Sequence, residues 1–311
     1  MQQQQTWYAH GKLLITGEYL VMQGARALAI PVNRGQYMQV VATSAKNITR
    51  LLWTAHKPDG LWFRTEIALP ELKILKTTNK LLAQKLVKIL SVVRDLKPLF
   101  LDGMQCFDVE TRLEFDTEFG FGSSSTLVAN LAAWADVDAF ALQQKALGGS
   151  GYDVACARVE TPVFYQLTND KPVVESAHWL PPFKDQIYFV YLGQKQRSDE
   201  SVERFKKLAV YGKEEIQRIS AIGEALVKAE TLELFENLLS EHEKIMSAVL
   251  GIAPVKERLF KGYPGIVKSL GAWGGDFVLI TNHSTDETFR EQMKSRGFYT
   301  VFSWDELVLQ K

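Results

Sequence analysis

The sequence predicts an α+β fold of two domains, residues 1–180 and 181–311. In the first half of the chain, the hydrophobic period changes from two to about 3.6 and back, which is typical of strands mixed with helices. The pair Pro181-Pro182 interrupts the chain just before a buried apolar run, QIYFVYLG. Near the carboxyl end, the stretches FVLITN, DETFREQMKSRG and FYTVFSW follow one another in β-α-β order.

Strands alternate with one long helix in the first half. WYAHGKLLITGEYLVM and ALAIPVNRGQYMQVVAT predict opening strands, and ITRLLWTAHKPDGLWFRTEIAL predicts a hairpin about the turn KPDG. Residues 77–96 predict a helix that begins at Thr78 or Asn79, and MQCFDVETRLEF predicts a strand after it. The apolar stripe of this helix is expected to contain Leu81, Leu82, Leu86, Ile89, Leu90 and Val93.

Helices dominate the prediction for the second domain. Three helices are expected between about residues 198 and 250, and a further helix over 254–270. The polar triplet EHE at 241–243 is predicted to lie on a solvated helix face. The five histidines show no paired metal spacing, and no GxSxG hydrolase elbow occurs.

Charge and cysteine content exclude several classes of protein. The chain has 36 Lys and Arg against 36 Asp and Glu, so no net charge attracts nucleic acid or a membrane surface. Cys106 and Cys156 lie in separate apolar runs and are expected to be reduced core thiols. No segment approaches the roughly 18 to 20 apolar residues of a membrane helix. We therefore expect a soluble, cytoplasmic monomer or homodimer with a small-molecule substrate.

A glycine-serine loop stands out in EFGFGSSSTLVANLAAWA, residues 118–135. The apolar residues that follow repeat at helical spacing, so the serines are expected at a helix start, where unpaired N–H groups attract anions. Gly120 and Gly122 would let the backbone approach a phosphate closely, so one interpretation of the loop is a phosphate-binding site. The alternative interpretation is a flexible turn with a serine cap. The loop is not of the GxxxxGK[ST] type.

Three further motifs follow one another along the chain: HGKLLITGEYLVMQG at the amino end, GGSGYDVACA at 148–157 and LGAWGGDF at 270–277. Together with the glycine-serine loop they resemble the GHMP kinases, which are ATP-dependent small-molecule kinases, over nearly the whole chain. The resemblance implies a ribosomal S5 domain 2-like, ATP-binding domain over 1–180 and a ferredoxin-like domain over 181–311. It also implies that ATP and Mg²⁺ are required.

The resemblance assigns roles to particular residues. Lys12 would reach the reacting phosphoryl group, and Asp153 would act as the general base. The expected nucleotide-binding residues are Gly120, Gly122, Ser123, Ser124 and Ser125, with Ser124 also as a magnesium ligand. The expected substrate-binding residues are Glu18, Tyr19, Ser150, Gly151, Gly274, Gly275 and Asp276. Lys195 and Ser198, which follow a predicted strand, are candidates for an anionic acceptor, although a solvated turn explains them equally well.

The motifs depart from the family pattern in three places. Trp273 replaces a glycine of the third motif, and Glu118 stands at the entrance of the glycine-serine loop. The stretch ALQQKALGG has no carboxylate where several relatives carry a magnesium-binding glutamate. Magnesium is then expected to rest on Ser124, the nucleotide phosphates and water.

Two features point to different acceptors. The GGD ending of the third motif resembles phosphomevalonate kinase, whereas a general base such as Asp153 suits an alcohol such as mevalonate. Phosphomevalonate is the preferred prediction; mevalonate, homoserine and sugars are alternatives. A non-catalytic nucleotide or metabolite sensor is the alternative of a different class. The stretch GYDVACA resembles a bacterial subgroup with a GYDIA-like signature.

Overall fold

The computed structural model describes residues 3–45, 48–193, 205, 211–271, 273 and 276–309. It is α+β, as the sequence predicts. By packing, the chain divides into two units. The first contains Met1–Gly11, Arg34–Thr117 and Gly122–Arg158, and the second contains Lys12–Asn33, Glu118–Phe121 and Val159–Lys311. The domain boundary at residue 180 stays a prediction.

The first unit contains most strands of a mixed sheet. Strands β1 (Gln3–Leu14) and β2 (Ala27–Ser44) each pass from one unit into the other. The first unit adds β3 (Arg50–Lys57), β4 (Gly60–Ala68), β5 (Lys73–Thr77) and β6 (Gln105–Leu113). Their order is β5-β4-β3-β6-β2, and β3 and β6 are parallel while the other neighbours are antiparallel. The hairpin predicted about KPDG is confirmed as β3 and β4.

Four helices pack with this sheet in the first unit. They are α1 (Lys80–Leu96), α2 (Ser123–Ala135), α3 (Ala139–Ala146) and α4 (Tyr152–Ala157). Asn79 caps α1 by accepting a hydrogen bond from the N–H of Leu82, as predicted. Leu81, however, is 63% exposed, which corrects its predicted place in the apolar stripe. The buried side of α1 passes through Ala83, and a residue two positions earlier lies roughly 200° around the helix.

The second unit contains two sets of strands. The first half of β2 pairs with β7 (Val163–Thr168), which pairs with β8 (Lys171–Ser176). A separate antiparallel sheet has the order β10-β11-β9-β12. Its strands are β9 (Ile187–Tyr191), β10 (Val267–Ser269), β11 (Phe277–Thr281) and β12 (Val301–Ser303). The predicted strand QIYFVYLG and the carboxyl-terminal β-α-β order are confirmed.

Five described helices accompany these strands. They are α5 (Lys213–Val227), α6 (Leu232–Leu250), α7 (Val255–Leu259), α8 (Asp286–Ser295) and α9 (Trp304–Leu307). The helix predicted over 254–270 is wrong in length, because α7 ends at Leu259 and strand β10 follows. Gly262, with a φ of 78°, and Pro264 lie in the turn between them, and neither favours helix continuation.

Neither thiol pairs with the other: Cys156 is buried and Cys106 is half-buried, as expected of reduced cysteines. Within the described ranges, no helix combines the length and the apolar character that crossing a membrane requires.

Candidate functional site

The glycine-serine loop enters helix α2 through two backbone positions that favour glycine. Gly120 has a φ of 67° and Gly122 a φ of 85°, both in the left-handed region. Gly122 is the N-cap of α2 and provides no side-chain cap. The amides of the first helical turn, at Ser123 to Ser125, are therefore not capped by that residue. Uncapped first-turn amides at the positive end of the helix dipole can donate to phosphate oxygens.

The three serines of the loop differ in what their hydroxyls do. The buried Ser125 donates its hydroxyl to the carbonyl oxygen of Gly122 at 2.9 Å. Ser123 is half-buried. Ser124 is exposed, and its role as a magnesium ligand stays a prediction. In the part of the chain that is described, no group of three or more His, Cys, Asp or Glu could hold a metal ion.

Buried hydrogen bonds fix helix α2 on strand β2 within the first unit. Asn130 donates its side-chain amide to the carbonyl oxygen of Gln36 at 2.8 Å. The Thr126 hydroxyl donates to Gln36 Oε1 at 3.1 Å. Because buried polar groups are costly to leave unpaired, these bonds fix the orientation of α2 on β2.

The predicted base Asp153 lies in the first turn of α4. Gly151, with a φ of 91°, is the N-cap of this helix, and Asp153 is half-buried. Ser150 is half-buried and Gly151 is buried. The preceding turn is held by Gln143, whose side-chain amide donates to the carbonyl oxygen of Gly148 at 2.9 Å.

Lys12 lies on β1 in the second unit and is buried. Its backbone N–H donates to the carbonyl oxygen of Phe121 at 3.1 Å. The strand that carries the predicted catalytic lysine is therefore hydrogen-bonded directly to the glycine-serine loop.

Asp276 packs against the backbone of the same loop. Its side chain is buried, and a Cβ atom added to Gly120 would lie only 2.7 Å from Asp276 Oδ2. A Cβ on Gly271 would lie 3.6 Å from the same oxygen. The carboxylate of Asp276 thus lies beside both glycines, and the absence of a side chain at Gly120 leaves it the space that it occupies.

Glu18 and Tyr19 form the turn after β1. Glu18 is 1% exposed, and its Oε1 accepts a hydrogen bond from Lys268 Nζ at 2.5 Å. Tyr19 has a φ of 61°, and its ring stacks on Phe205 with centroids 5.1 Å apart. The Glu18 carboxylate is thus engaged inside the protein, and its role in substrate binding stays a prediction.

The triplet EHE is not a solvated face, which corrects the expectation from sequence. His242 is fully buried and Glu243 is 4% exposed, whereas Glu241 forms a surface ion pair with Arg218. Along α6, the positions 239, 242, 243 and 246 share the side that faces the protein interior. Two polar residues interrupt this apolar stripe, and for that reason the sequence pattern did not predict that this part of the helix is buried.

These residues form a buried cluster with Lys268, another residue that sequence reasoning missed. His242 Nε2 accepts a hydrogen bond from the N–H of Gly17 at 3.3 Å and lies 3.2 Å from Glu18 Oε2. The Lys268 ammonium also donates to the carbonyl oxygen of Ser269 at 2.6 Å and lies 3.8 Å from Glu243 Oε1. A lone lysine within the apolar run GIVKSLGAW is the signal that could have identified it.

Burial and mutual charge set the protonation of this cluster. Burial acts to raise the pKa of Glu18, but the nearby Lys268 ammonium outweighs it and holds that pKa below its ordinary value. Burial raises the pKa of Glu243 to about 7 despite the opposing effect of Lys268. Burial, with Lys268, lowers the pKa of His242. Near neutral pH the cluster therefore contains a charged Glu18, a neutral His242 and a partly protonated Glu243.

Four predicted substrate-binding residues, Lys195, Ser198, Gly274 and Gly275, lie outside the described residues. Trp273 is described and is buried, with a φ of 53°. Its indole belongs to an apolar cluster that includes Leu20, Ile219, Met246 and Val249. The side chain that replaces the family's glycine is thus part of the core of the second unit.

Each unit brings together one set of the predicted site residues. The second unit contains Lys12, Glu18, Tyr19, Gly120 and Asp276. The first unit contains Gly122, Ser123, Ser124, Ser125, Ser150, Gly151 and Asp153. Their assigned roles stay predictions.

Comparison with known proteins gives a likeness in structure. No protein-family profile matches the chain, and no curated protein matches its sequence. The structure of L. major mevalonate kinase with R-mevalonate matches with a TM-score of 0.70 at 16% identity, over 99% of this chain and 97% of the other. Streptococcus pneumoniae phosphomevalonate kinase with phosphomevalonate and AMPPNP matches with a TM-score of 0.71 at 16% identity, over 96% and 99%.

Lactococcus lactis galactokinase with galactose also matches, with a TM-score of 0.64 at 12% identity, over 99% of this chain and 94% of the other. At such low identity, the likeness establishes the fold. The chain therefore has, along almost its entire length, the fold of these mevalonate, phosphomevalonate and galactose kinases, which is the GHMP kinase fold that its motifs predict.

Proposed function

We propose that this protein is an ATP-dependent small-molecule kinase that transfers the γ-phosphoryl group to a mevalonate-pathway acid, with phosphomevalonate as the preferred acceptor. The observation that carries the proposal is the uncapped start of α2 behind Gly120 and Gly122, on a fold shared with kinases. Phosphoryl transfer needs little covalent chemistry from a protein and depends mainly on positioning and on compensation of negative charge. A helix start fixed by buried hydrogen bonds suits that task.

Each of the proposed site residues has a separate role in phosphoryl transfer. The first-turn amides of α2 bind phosphate oxygens, and the Lys12 ammonium offsets the charge of the phosphoryl group in transfer. Asp153 orients the acceptor and accepts its proton where the acceptor is an alcohol. Ser124, exposed at the helix start, would hold magnesium together with the nucleotide phosphates and water. Magnesium, when bound, neutralises charge on the phosphates.

The choice of acceptor rests on the GGD ending of the third motif and on the neighbour that holds phosphomevalonate and AMPPNP. Mevalonate is the second candidate, because the mevalonate kinase matches with nearly the same TM-score, 0.70 against 0.71. Mevalonate gains a phosphate on an alcohol, whereas phosphomevalonate gains one on an existing phosphate. The two reactions therefore give products that differ by one phosphate.

A substrate panel tests the proposal. The purified protein would be incubated with ATP, Mg²⁺ and, separately, phosphomevalonate, R-mevalonate, homoserine and galactose, while ADP release is followed. We expect ADP release with phosphomevalonate and its loss in Lys12→Met. Release with mevalonate alone would support the second candidate. Nucleotide binding without turnover on any member of the panel would instead favour a sensor.

A further inference from the structure

The buried cluster of Glu18, His242, Glu243 and Lys268 connects three separate parts of the second unit. Glu18 lies in the turn after β1, His242 and Glu243 lie on α6, and Lys268 lies on β10. Both side chains of the Glu18–Lys268 ion pair have 0% exposure. Burying such a pair costs desolvation energy that a well-packed apolar core would avoid. The cluster is thus poorly explained by stability alone.

Two contacts of the cluster act on one short turn, Gly17 to Tyr19. His242 Nε2 accepts the backbone N–H of Gly17, and Lys268 Nζ donates to the Glu18 carboxylate. Gly17 itself is confined, because a Cβ there would lie 2.8 Å from the Cβ of Ala27. The turn is therefore held from α6 through its backbone and from β10 through its side chain.

The same cluster controls the start of the segment that leads to Asp276. Ser269 donates its hydroxyl to Glu243 Oε2 at 3.2 Å, and its carbonyl accepts from Lys268 Nζ at 2.6 Å. The N–H of Leu270 then donates to the carbonyl oxygen of Phe277, directly after Asp276. One set of buried groups thus supports both the turn with Tyr19 and the end of β10, where Leu270 is paired with Phe277, the residue after Asp276.

We propose that His242, Glu243 and Lys268 are positioning residues that hold two elements for acceptor binding: the Gly17–Tyr19 turn, and Ser269 with Leu270 at the end of β10. This inference rests on the proposed function, since Glu18, Tyr19 and Asp276 are predicted acceptor-binding residues. None of the three positioning residues needs to touch the acceptor.

Substitution of His242 tests this role without leaving a buried charge unpaired. His242→Leu removes the acceptor of the Gly17 N–H in a side chain of similar size, whereas His242→Gln retains an acceptor oxygen and should rescue. Glu241→Gln, one residue away on the surface of α6, is the matched control. Amide exchange at residues 17–19 and separate KM values for ATP and for the acceptor are measured in each variant.

We expect His242→Leu to speed exchange of the Gly17 amide and to raise the acceptor KM by about tenfold, with the KM for ATP nearly unchanged. His242→Gln and Glu241→Gln should resemble the wild type. Lys268→Met breaks the second contact with the turn, so it should also speed amide exchange in the turn and raise the acceptor KM. It serves as the test if His242→Leu does not fold.

Three results would overturn the proposal. They are unchanged exchange in His242→Leu, faster exchange with an unchanged acceptor KM, and an equal rise in both KM values. Failure of the proposed function gives a different pattern, because the wild type would then turn over no acceptor. In that case, amide exchange alone decides whether His242 and Lys268 hold the turn. Unchanged exchange in the variants would reject this positioning role.

Discussion

Gly120 lies directly against the carboxylate of Asp276, so a side chain on residue 120 would force that carboxylate or the loop to move. An added Cβ would lie 2.7 Å from Asp276 Oδ2, and the φ of Gly120 is 67°. The loop proposed to bind phosphate is therefore shaped by a residue of the third motif, more than 150 positions later in the chain.

Gly120→Ala should weaken nucleotide binding. The methyl group forces either the loop or Asp276 to move, so we expect the Kd for AMPPNP to rise at least about tenfold. Gly251→Ala is the matched control, because its φ is 64° but no atom lies within 4 Å of its Cβ. Titration calorimetry on both variants measures the effect. Equal affinities in the two would show that the close approach to Asp276 does not shape the loop.

Lys12→Met and Asp153→Asn should each abolish most turnover. Removing the ammonium or the carboxylate takes away charge compensation or acceptor orientation, and we expect kcat to fall at least about a hundredfold. Nucleotide affinity should change little, since the α2 amides remain. Steady-state kinetics with AMPPNP binding as the control measures both quantities. Full activity in either variant would contradict its assigned role.

Ser124→Ala should raise the magnesium concentration needed for half-maximal activity, by about tenfold, because it removes the one exposed hydroxyl of the loop. Ser125→Ala is the comparison, since that hydroxyl is already bonded to Gly122. Initial rates over a magnesium titration distinguish the two. An unchanged magnesium requirement in Ser124→Ala would remove it from the proposed ligands.

Glu243→Gln should alter how stability depends on pH. The pKa of Glu243 is about 7 in the folded protein, above the ordinary value of 4.5, so the unfolded chain loses its proton first as pH rises. Ionisation of Glu243 therefore lowers the stability of the wild type between about pH 4.5 and 7, by roughly 3 kcal/mol in all, and Glu243→Gln lacks this contribution. Denaturant unfolding at pH 5 and pH 8 measures the difference.

The sign of that difference is the critical result. Glu243→Gln should gain stability relative to the wild type as pH rises from 5 to 8. Glu241→Gln, which removes a surface carboxylate paired with Arg218, should show no such trend in this range because the pKa of Glu241 lies below its ordinary value. A constant offset for Glu243→Gln would mean that Glu243 does not titrate there.

Trp273→Ala should destabilise the second unit by about 3 to 5 kcal/mol, since it empties a large buried volume in the cluster with Leu20 and Met246. Trp62→Ala, at a half-buried tryptophan of β4, should cost less. Thermal unfolding compares the two. A small loss for Trp273→Ala together with a large change in acceptor KM would assign the indole to substrate binding instead.

Local features of the chain could be predicted where the pattern alone decides them. Asn79 as a cap, the KPDG hairpin and the helix start behind Gly122 depend on turn and capping chemistry within a few residues. The GHMP fold followed from the order of the motifs. The sequence shows that Trp273 stands where the family pattern has a glycine, but it does not show that this side chain is buried.

Features that depend on distant partners could not be predicted. His242 and Glu243 look like a solvated face because the partners that make their burial tolerable, Lys268 and Gly17, are distant in sequence. The contact of Asp276 with Gly120 could not be predicted for the same reason, because the two residues are distant in sequence. Charge pairing across separated elements leaves no periodic signal, and a helical stripe interrupted by polar residues is easily assigned to solvent.

The most direct test of the central claim is ³¹P NMR of the wild-type protein with ATP, Mg²⁺ and phosphomevalonate, with Lys12→Met as the control. The account predicts that ADP and a new diphosphate ester appear in equal amounts with the wild type and that neither appears with the variant. Unchanged ATP with phosphomevalonate, mevalonate, homoserine and galactose alike, in folded protein that still binds AMPPNP, would contradict it.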